Sequence, residues 1–133
     1  MGPFVSVVLP VKNGGSYLQT AVSSILNQSY PDLELLLVDD HSTDEAINYL
    51  DKSDRRLQII SSQGHGVVDA FNTGFTHSRG RFIARMDADD ISLPKRLECQ
   101  LGYLEQHREV GIAGCCVEIF SEKGIKGGLE RYQ

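Results

Sequence analysis

The chain has 133 residues, 41% of them hydrophobic, and a formal net charge of −5. That is enough for one domain with a real core, and the acidic balance argues against nucleic acid as a partner, which needs a basic face. No apolar run approaches the ~20 residues that span a bilayer, and Met1-Gly2-Pro3-Phe4 does not open the basic-then-apolar pattern of a secretory signal, so a cytoplasmic setting is expected.

Val5 to Val11 is an apolar, β-branched-rich run broken only by Ser6 and Pro10, which predicts a strand buried on both faces. Asn13-Gly14-Gly15-Ser16 punctuates it, with Ser16 or Asn13 available to cap a helix. Leu18, Ala21, Val22, Ile25 and Leu26 then recur at helical spacing. Asn27-Gln28-Ser29 matches a glycosylation acceptor, read here as chance. After the turn at Ser29 to Asp32, Leu33 to Val38 is a second buried strand, and Ser42 with Glu45 three residues later predicts a capping box on a short helix.

Leu57 to Ile60 predicts a third strand, and Val67, Ala70, Phe71, Gly74 and Phe75 repeat the helical stripe. Arg81 to Met86 predicts a fourth strand, Leu93-Pro94 opens a further helix carrying Leu97, Leu101 and Leu104, and Val110 to Phe120 reads as a last strand before a glycine-bearing tail. Strands separated by helices imply an α/β fold with a mainly parallel sheet, three layers deep. Cys99, Cys115 and Cys116 lack metal or redox spacing and are expected to be reduced, the adjacent pair as small core or half-core residues. His41, His65, His77 and His107 form no H-E-x-x-H pattern, so zinc is not expected.

Two acidic strand ends are the strongest chemical signal. Asp39-Asp40 closes the second strand, and Asp87-Ala88-Asp89-Asp90 follows the fourth. If that strand runs through residue 89, period-two geometry puts Asp87 and Asp89 on one face, their α-carbons roughly 6.5–7 Å apart. Two like charges so close repel, and a hard cation such as Mg²⁺ relieves them while bridging to substrate phosphate. The alternative is a solvated acidic turn. Parallel sheets bind ligands beyond the carboxyl ends of their strands, and both clusters lie there. Asn13-Gly14-Gly15-Ser16 is neither a dinucleotide fingerprint nor a Walker loop, and Gly64-x-Gly66 meets Asp69 where a third glycine belongs. Arg85 stands near enough to the acids to pair with them or with a diphosphate, a structural salt bridge being favoured.

The segments Val5 to Asn13, Val38-Asp39-Asp40-His41-Ser42-Thr43-Asp44, Asp69 to Gly74 and Arg85 to Pro94 resemble, in order, the signatures of family 2 glycosyltransferases, over residues 4 to about 120. The resemblance implies the GT-A fold, a three-layer α/β/α sandwich that binds a nucleotide-diphosphate sugar. It implies an inverting, metal-dependent transfer to a carbohydrate or lipid-linked acceptor, of the kind used in cell-surface polysaccharide synthesis. Carried over, Pro10 lines the base pocket, Asp40 accepts the N3–H of a uracil-type base and Asp39 supports it. Asp89 ligates Mn²⁺ or Mg²⁺, Asp87 holds ribose or helps the metal, and Ala88 and Asp90 complete the element beside the sugar. Asp69 and Asn72 are candidate donor contacts, with capping as the alternative. Lys12 stands where the family usually has a stacking tyrosine, next to Asn13, and His41 replaces a common glycine at a turn that favours positive φ.

That family takes its proton from the acceptor with a carboxylate further along the chain. Here only Glu122 and Glu130 follow Glu118, so no base is assigned. Residues 1–133 are therefore expected to form a single donor-binding domain without the acceptor part, truncated at the C-terminus. The exposed side would be open to self-association, and the full-length protein to membrane association. The alternatives are a non-catalytic nucleotide-sugar binding module and a sugar nucleotidyltransferase, which should carry a basic glycine-rich loop after strand one.

Overall fold

Two neighbouring strands of nearly unbroken aliphatic sequence form the centre of the sheet: β1 (Val5–Val11) and β2 (Leu33–Asp39). In this computed structural model, which describes residues 4–120, β3 (Leu57–Ser61) and β4 (Phe82–Arg85) flank them. The strand order is β3-β2-β1-β4 and every pairing is parallel. Among the described residues there are three α-helices: α1 (Leu18–Leu26), preceded by a 3-10 turn at Gly15–Tyr17, α2 (Val67–His77) and α3 (Arg96–Gln106). The chain divides into two compact units, Met1–Leu97 and Glu98–Gln133. Among the described residues, no helix is long and apolar enough to cross a membrane.

The sheet is buried on both faces because alternate residues of β1 and β2 are aliphatic in both phases. On one face Val8, Leu36 and Val38 pack with Ala70 of α2, and Ile60 and Phe71 close the cluster. A Cβ at Gly74 would collide with Val8 and Val38, so only glycine lets α2 lie this close. On the other face Val5, Val7, Leu9 and Val11 alternate with Leu33, Leu35 and Leu37, all buried. The stripe Leu18, Ala21, Val22 and Ile25 of α1 is buried too.

Predicted and observed elements part in four places. No helix follows Ser42: its hydroxyl accepts the Asn13 N–H (2.9 Å), and Glu45 turns to the Asn48 amide (2.6 Å). Neither Asn13 nor Ser16 caps α1, whose start has no side-chain cap. No strand forms from Val110 to Phe120; within the second unit this stretch is irregular, with Ile112, Val117 and Phe120 exposed. Apolar sequence makes a strand only where another strand accepts its ladder, and none among the described residues does. Cys115 and Cys116, in the same stretch, are exposed rather than core residues. The tail from Lys123 lies outside the described residues, as do Glu122 and Glu130.

One charged group is buried inside the sheet layer. Glu34 of β2 lies opposite Ser6 of β1 and accepts its hydroxyl at 2.6 Å. The Arg79 backbone N–H (2.8 Å) and guanidinium (2.7 and 2.9 Å) donate to the same carboxylate. Burial pushes the Glu34 carboxyl up, but the bonds from Ser6 and Arg79 outweigh it and hold it below the ordinary glutamate range. The stability this group supplies is therefore complete above its unfolded value of about 4.3 and lost as pH falls through its lower folded value. Glu34→Ala takes the acceptor from the buried Ser6 hydroxyl and leaves the Arg79 N–H only its longer bond to Ser6 Oγ (3.2 Å), and should cost about 1–3 kcal/mol at pH 7. Urea unfolding at pH 7 and pH 3 checks this: the gap between wild type and variant should shrink at the lower pH.

Candidate functional site

In a parallel sheet every strand ends on the same side, so the loops after Val11, Asp39, Ser61 and Arg85 share one rim. From β1 the chain steps outward through β2 to β3, then returns to place β4 on the other side of β1. That reversal opens a crevice between β1 and β4 at the carboxyl end. Pro10 helps keep it open. Even-numbered residues of β1 face β4, as the bond from Met86 N–H to Val8 O (3.1 Å) shows, but β4 ends at Arg85, paired with Val8. Pro10, which has no N–H, thus sits where no ladder bond is asked of it.

The loops after β1 and β2 are latched together by Asn13. Its side-chain oxygen accepts the N–H groups of Thr43 (2.7 Å) and Asp44 (3.2 Å), and Asp44 accepts the Gly15 N–H (2.9 Å). Asn13 has φ 54°, a left-handed conformation that asparagine tolerates better than most residues. Lys12 beside it is exposed.

Asp39 and Asp40 take different roles at the end of β2. Asp39 Oδ1 accepts the Ser42 N–H (2.9 Å) and fixes the turn. Asp40 is only 4% exposed; its Oδ2 accepts the Gly66 N–H (2.9 Å), while Oδ1 is buried with no hydrogen-bond partner. Gly66 stands at φ 91° in front of α2, a conformation that glycine alone adopts easily. His41 follows at φ 56°, so the position does require the left-handed turn expected of it. An unpaired buried carboxylate oxygen costs stability and invites a donor.

The acidic run after β4 is a turn, which corrects the period-two expectation. β4 stops at Arg85, and the Asp90 N–H bonds to Asp87 O (3.3 Å) across Ala88 and Asp89. Asp87 is partly buried and pairs with the Arg85 guanidinium at 2.8 Å, the salt bridge favoured from sequence; Asp89 and Asp90 are exposed. Partial desolvation, then the charges of Asp87 and Asp89, push the Asp90 carboxyl above the usual range. The three carboxylates of this turn are close in sequence but are not gathered within metal-ligand distance of one another in this structure. By strand spacing, this turn and the end of β2 stand roughly 10 Å apart across β1.

Asp69 and Asn72 lie on α2. The Asp69 carboxylate accepts the His65 N–H (3.0 Å), holding the loop in front of the helix. A shallow depression of about 290 Å³ is lined by Gln63, Gly64, Asp69, Asn72, Thr73 and Thr76. It takes in two of the predicted residues, Asp69 and Asn72, but none of the carboxylates after β4.

A family model described as glycosyl transferase family 2 matches residues 6–132. The chain belongs to glycosyltransferase family 2. It is 38% identical over 131 residues to an uncharacterised glycosyltransferase of Haemophilus influenzae, covering 94% of this chain and 41% of the relative. A UDP-Glc:alpha-D-GlcNAc-diphosphoundecaprenol beta-1,3-glucosyltransferase of Escherichia coli is 35% identical, over 75% of this chain and 40% of its own. Among solved structures, S. aureus TarS 1-349 in complex with UDP-GlcNAc superposes with a TM-score of 0.69 at 25% identity, over 81% of this chain and 32% of that one. The mannosyltransferase PcManGT of Pyrobaculum calidifontis, in complex with GDP-Man and Mn²⁺, gives 0.69 at 26%, over 78% and 33%. The fold is GT-A, and the chain spans less than half the length of these curated relatives.

Sequence reasoning missed the residue that anchors the segment following the acidic turn of this family 2 chain. Gln28, buried at the end of α1, donates its amide to Ser92 Oγ (3.1 Å) and Leu93 O (2.8 Å), and its carbonyl accepts the Leu97 N–H (3.0 Å). Beside it Ser24 Oγ accepts the Ser92 N–H (3.0 Å). The signal was a polar residue in register with the buried stripe of α1, three positions after Ile25. Gln28→Ala should cost about 1–3 kcal/mol by orphaning buried partners and should speed amide hydrogen exchange selectively in residues 92–97. Urea midpoints and exchange mass spectrometry read the two effects.

Proposed function

We propose that this chain binds the donor in a metal-dependent, inverting transfer of a sugar from a UDP-type nucleotide-diphosphate sugar. The observation that carries the reading is Asp40: a buried carboxylate beside the crevice, one oxygen fixed by Gly66 and the other without a partner. A uracil N3–H is a donor that would satisfy it, whereas a group with only acceptors there would not. Pro10 offers an apolar edge for the base at the strand end, and the Lys12 stem covers the ring from the neighbouring loop. The relatives support the donor class, since their names include UDP-Glc, UDP-GlcNAc and GDP-Man.

In this reading the nucleotide crosses β1, base toward Asp40 and diphosphate toward the turn after β4. Asp89, with Asp87 beside it, would hold Mn²⁺ or Mg²⁺, which neutralises charge on the departing diphosphate. Arg85 holds Asp87 in position through their ion pair. Asp90, protonated more readily than an ordinary aspartate, faces the sugar as a hydrogen-bond partner. Asp69 and Asn72 border the α2 side as further donor contacts. The acceptor, carbohydrate or lipid-linked, and the base that deprotonates it are not assigned to any described residue. The proposal for this chain is donor binding, since it spans less than half the length of the relatives whose names carry a transfer activity.

Calorimetric titration of UDP and GDP, in Mn²⁺ and in chelator, tests the reading. UDP should bind more tightly than GDP and at least about tenfold more tightly with Mn²⁺. Asp89→Ala should abolish the metal effect. Asp40→Asn should weaken UDP by about tenfold or more, because a lost bond to a charged group is worth about 1.5–3 kcal/mol. Equal UDP affinity in Mn²⁺ and chelator would remove the metal from the proposal; a GDP preference would remove the uracil assignment.

A further inference from the structure

We infer that Asp40, His41 and His65 form a second metal site, suited to zinc and separate from the carboxylates after β4. One ligand atom from each of the three lies within 4.8 Å of the others. The imidazole rings of His41 and His65 face each other at 4.4 Å between centroids, 32° from parallel. The two histidines are far apart in sequence, which is why no spacing motif announced them; the loops after β2 and β3 bring them together.

The chemistry of the donor set is distinctive. Two imidazoles and one carboxylate select zinc or a neighbouring transition metal, whereas Mg²⁺ and Ca²⁺ prefer all-oxygen sites. His41 Nε2 lies 3.1 Å from Gly64 O, and a carbonyl only accepts, so Nε2 carries the proton and Nδ1 keeps its lone pair for a metal. That is the outer hydrogen bond by which metal-bound histidines are usually oriented. Asp40 Oδ2 is taken by the Gly66 N–H, which leaves the buried, unpartnered Oδ1 as the third ligand.

Ligands of a tetrahedral zinc stand about 3.3 Å apart, given metal bonds near 2.0–2.1 Å. The ligand atoms that lie within 4.8 Å of one another would therefore close by about 1.5 Å at most on binding, whichever nitrogen or oxygen each residue offers. Both imidazoles are exposed and lie on loops, so the closure asks for side-chain rotation and not for movement of the sheet. With three protein ligands a fourth position stays open to solvent.

This site would use the same Asp40 oxygen that the proposed function gives to the nucleobase. Zinc and UDP should then exclude each other, a consequence that rests on that functional reading, while the metal site rests on its own geometry.

The experiment titrates Zn²⁺, and Co²⁺ as a spectroscopic probe, into the chain carrying Cys99→Ser, Cys115→Ser and Cys116→Ser, so that exposed thiols cannot bind the metal. One equivalent should bind, with the visible absorption of tetrahedral cobalt. His41→Gly, which suits the left-handed backbone at 41, and His65→Ala should each weaken zinc by tenfold or more while urea midpoints confirm that both variants fold. Excess UDP should lower the apparent zinc affinity in the parent and not change residual binding in the histidine variants. No binding by the cysteine-free chain, or zinc affinity unchanged in both histidine variants, overturns the site. Zinc and UDP binding together with unaltered affinities overturns the shared oxygen. If UDP fails to bind even without zinc, the donor reading fails, and the zinc titration still decides the metal site.

Discussion

Parallel pairing around a doubly buried β1 is the constraint from which the site follows. A strand covered on both faces and bonded on both edges cannot reach solvent along its length, so chemistry is confined to its ends. Parallel direction then sends the loops after all four strands to one rim, and the return of the chain to β4 splits that rim at β1. The carboxylates of β2 and β4 come from segments nearly fifty residues apart, yet they need no special contact to meet. Strand direction and order bring them there.

Gathering acids at one rim has an electrostatic cost, and the chain handles its members differently. Asp39 and Asp69 spend their oxygens on backbone N–H groups, and Asp87 is paired with Arg85. Those are local solutions that hold without a ligand. Asp40 Oδ1 has no such solution, and Asp90 is left in a field of like charge. Under the proposed function these unsolved positions are where a donor or cation would relieve a cost already present in the fold.

Much of this was legible in the sequence. The aliphatic runs Val5 to Val11 and Leu33 to Val38 and the stripes of α1 and α2 are strong periodic signals, and the structure bears them out. Ser42 and Glu45 misled because a capping pair looks the same whether it opens a helix or serves a loop; Asn13, thirty residues away, claimed that segment first. Residues Val110 to Phe120 misled because apolar alternation states what a strand needs and not whether a neighbour exists. At the acidic turn, residue identity was readable and geometry was not, since nothing in Met86-Asp87 says that the strand has ended. Gln28 and the pair His41 and His65 act through contacts distant in sequence, which no local pattern encodes.

The buried bond between Ser6 and Glu34 also bears on how the chain finds its alignment. Val5, Val7, Val8 and Leu9 face Leu33, Leu35, Leu36 and Leu37, and all are buried. Because both faces are aliphatic, sliding β1 along β2 exchanges one greasy neighbour for another, and the hydrophobic effect barely distinguishes the settings. Ser6 and Glu34 break that degeneracy. In any shifted pairing the carboxylate is set against a side chain that cannot donate to it, within a layer that excludes water. A feature that adds modestly to stability thus serves as an index mark, making one alignment of two interchangeable strands correct and its neighbours costly.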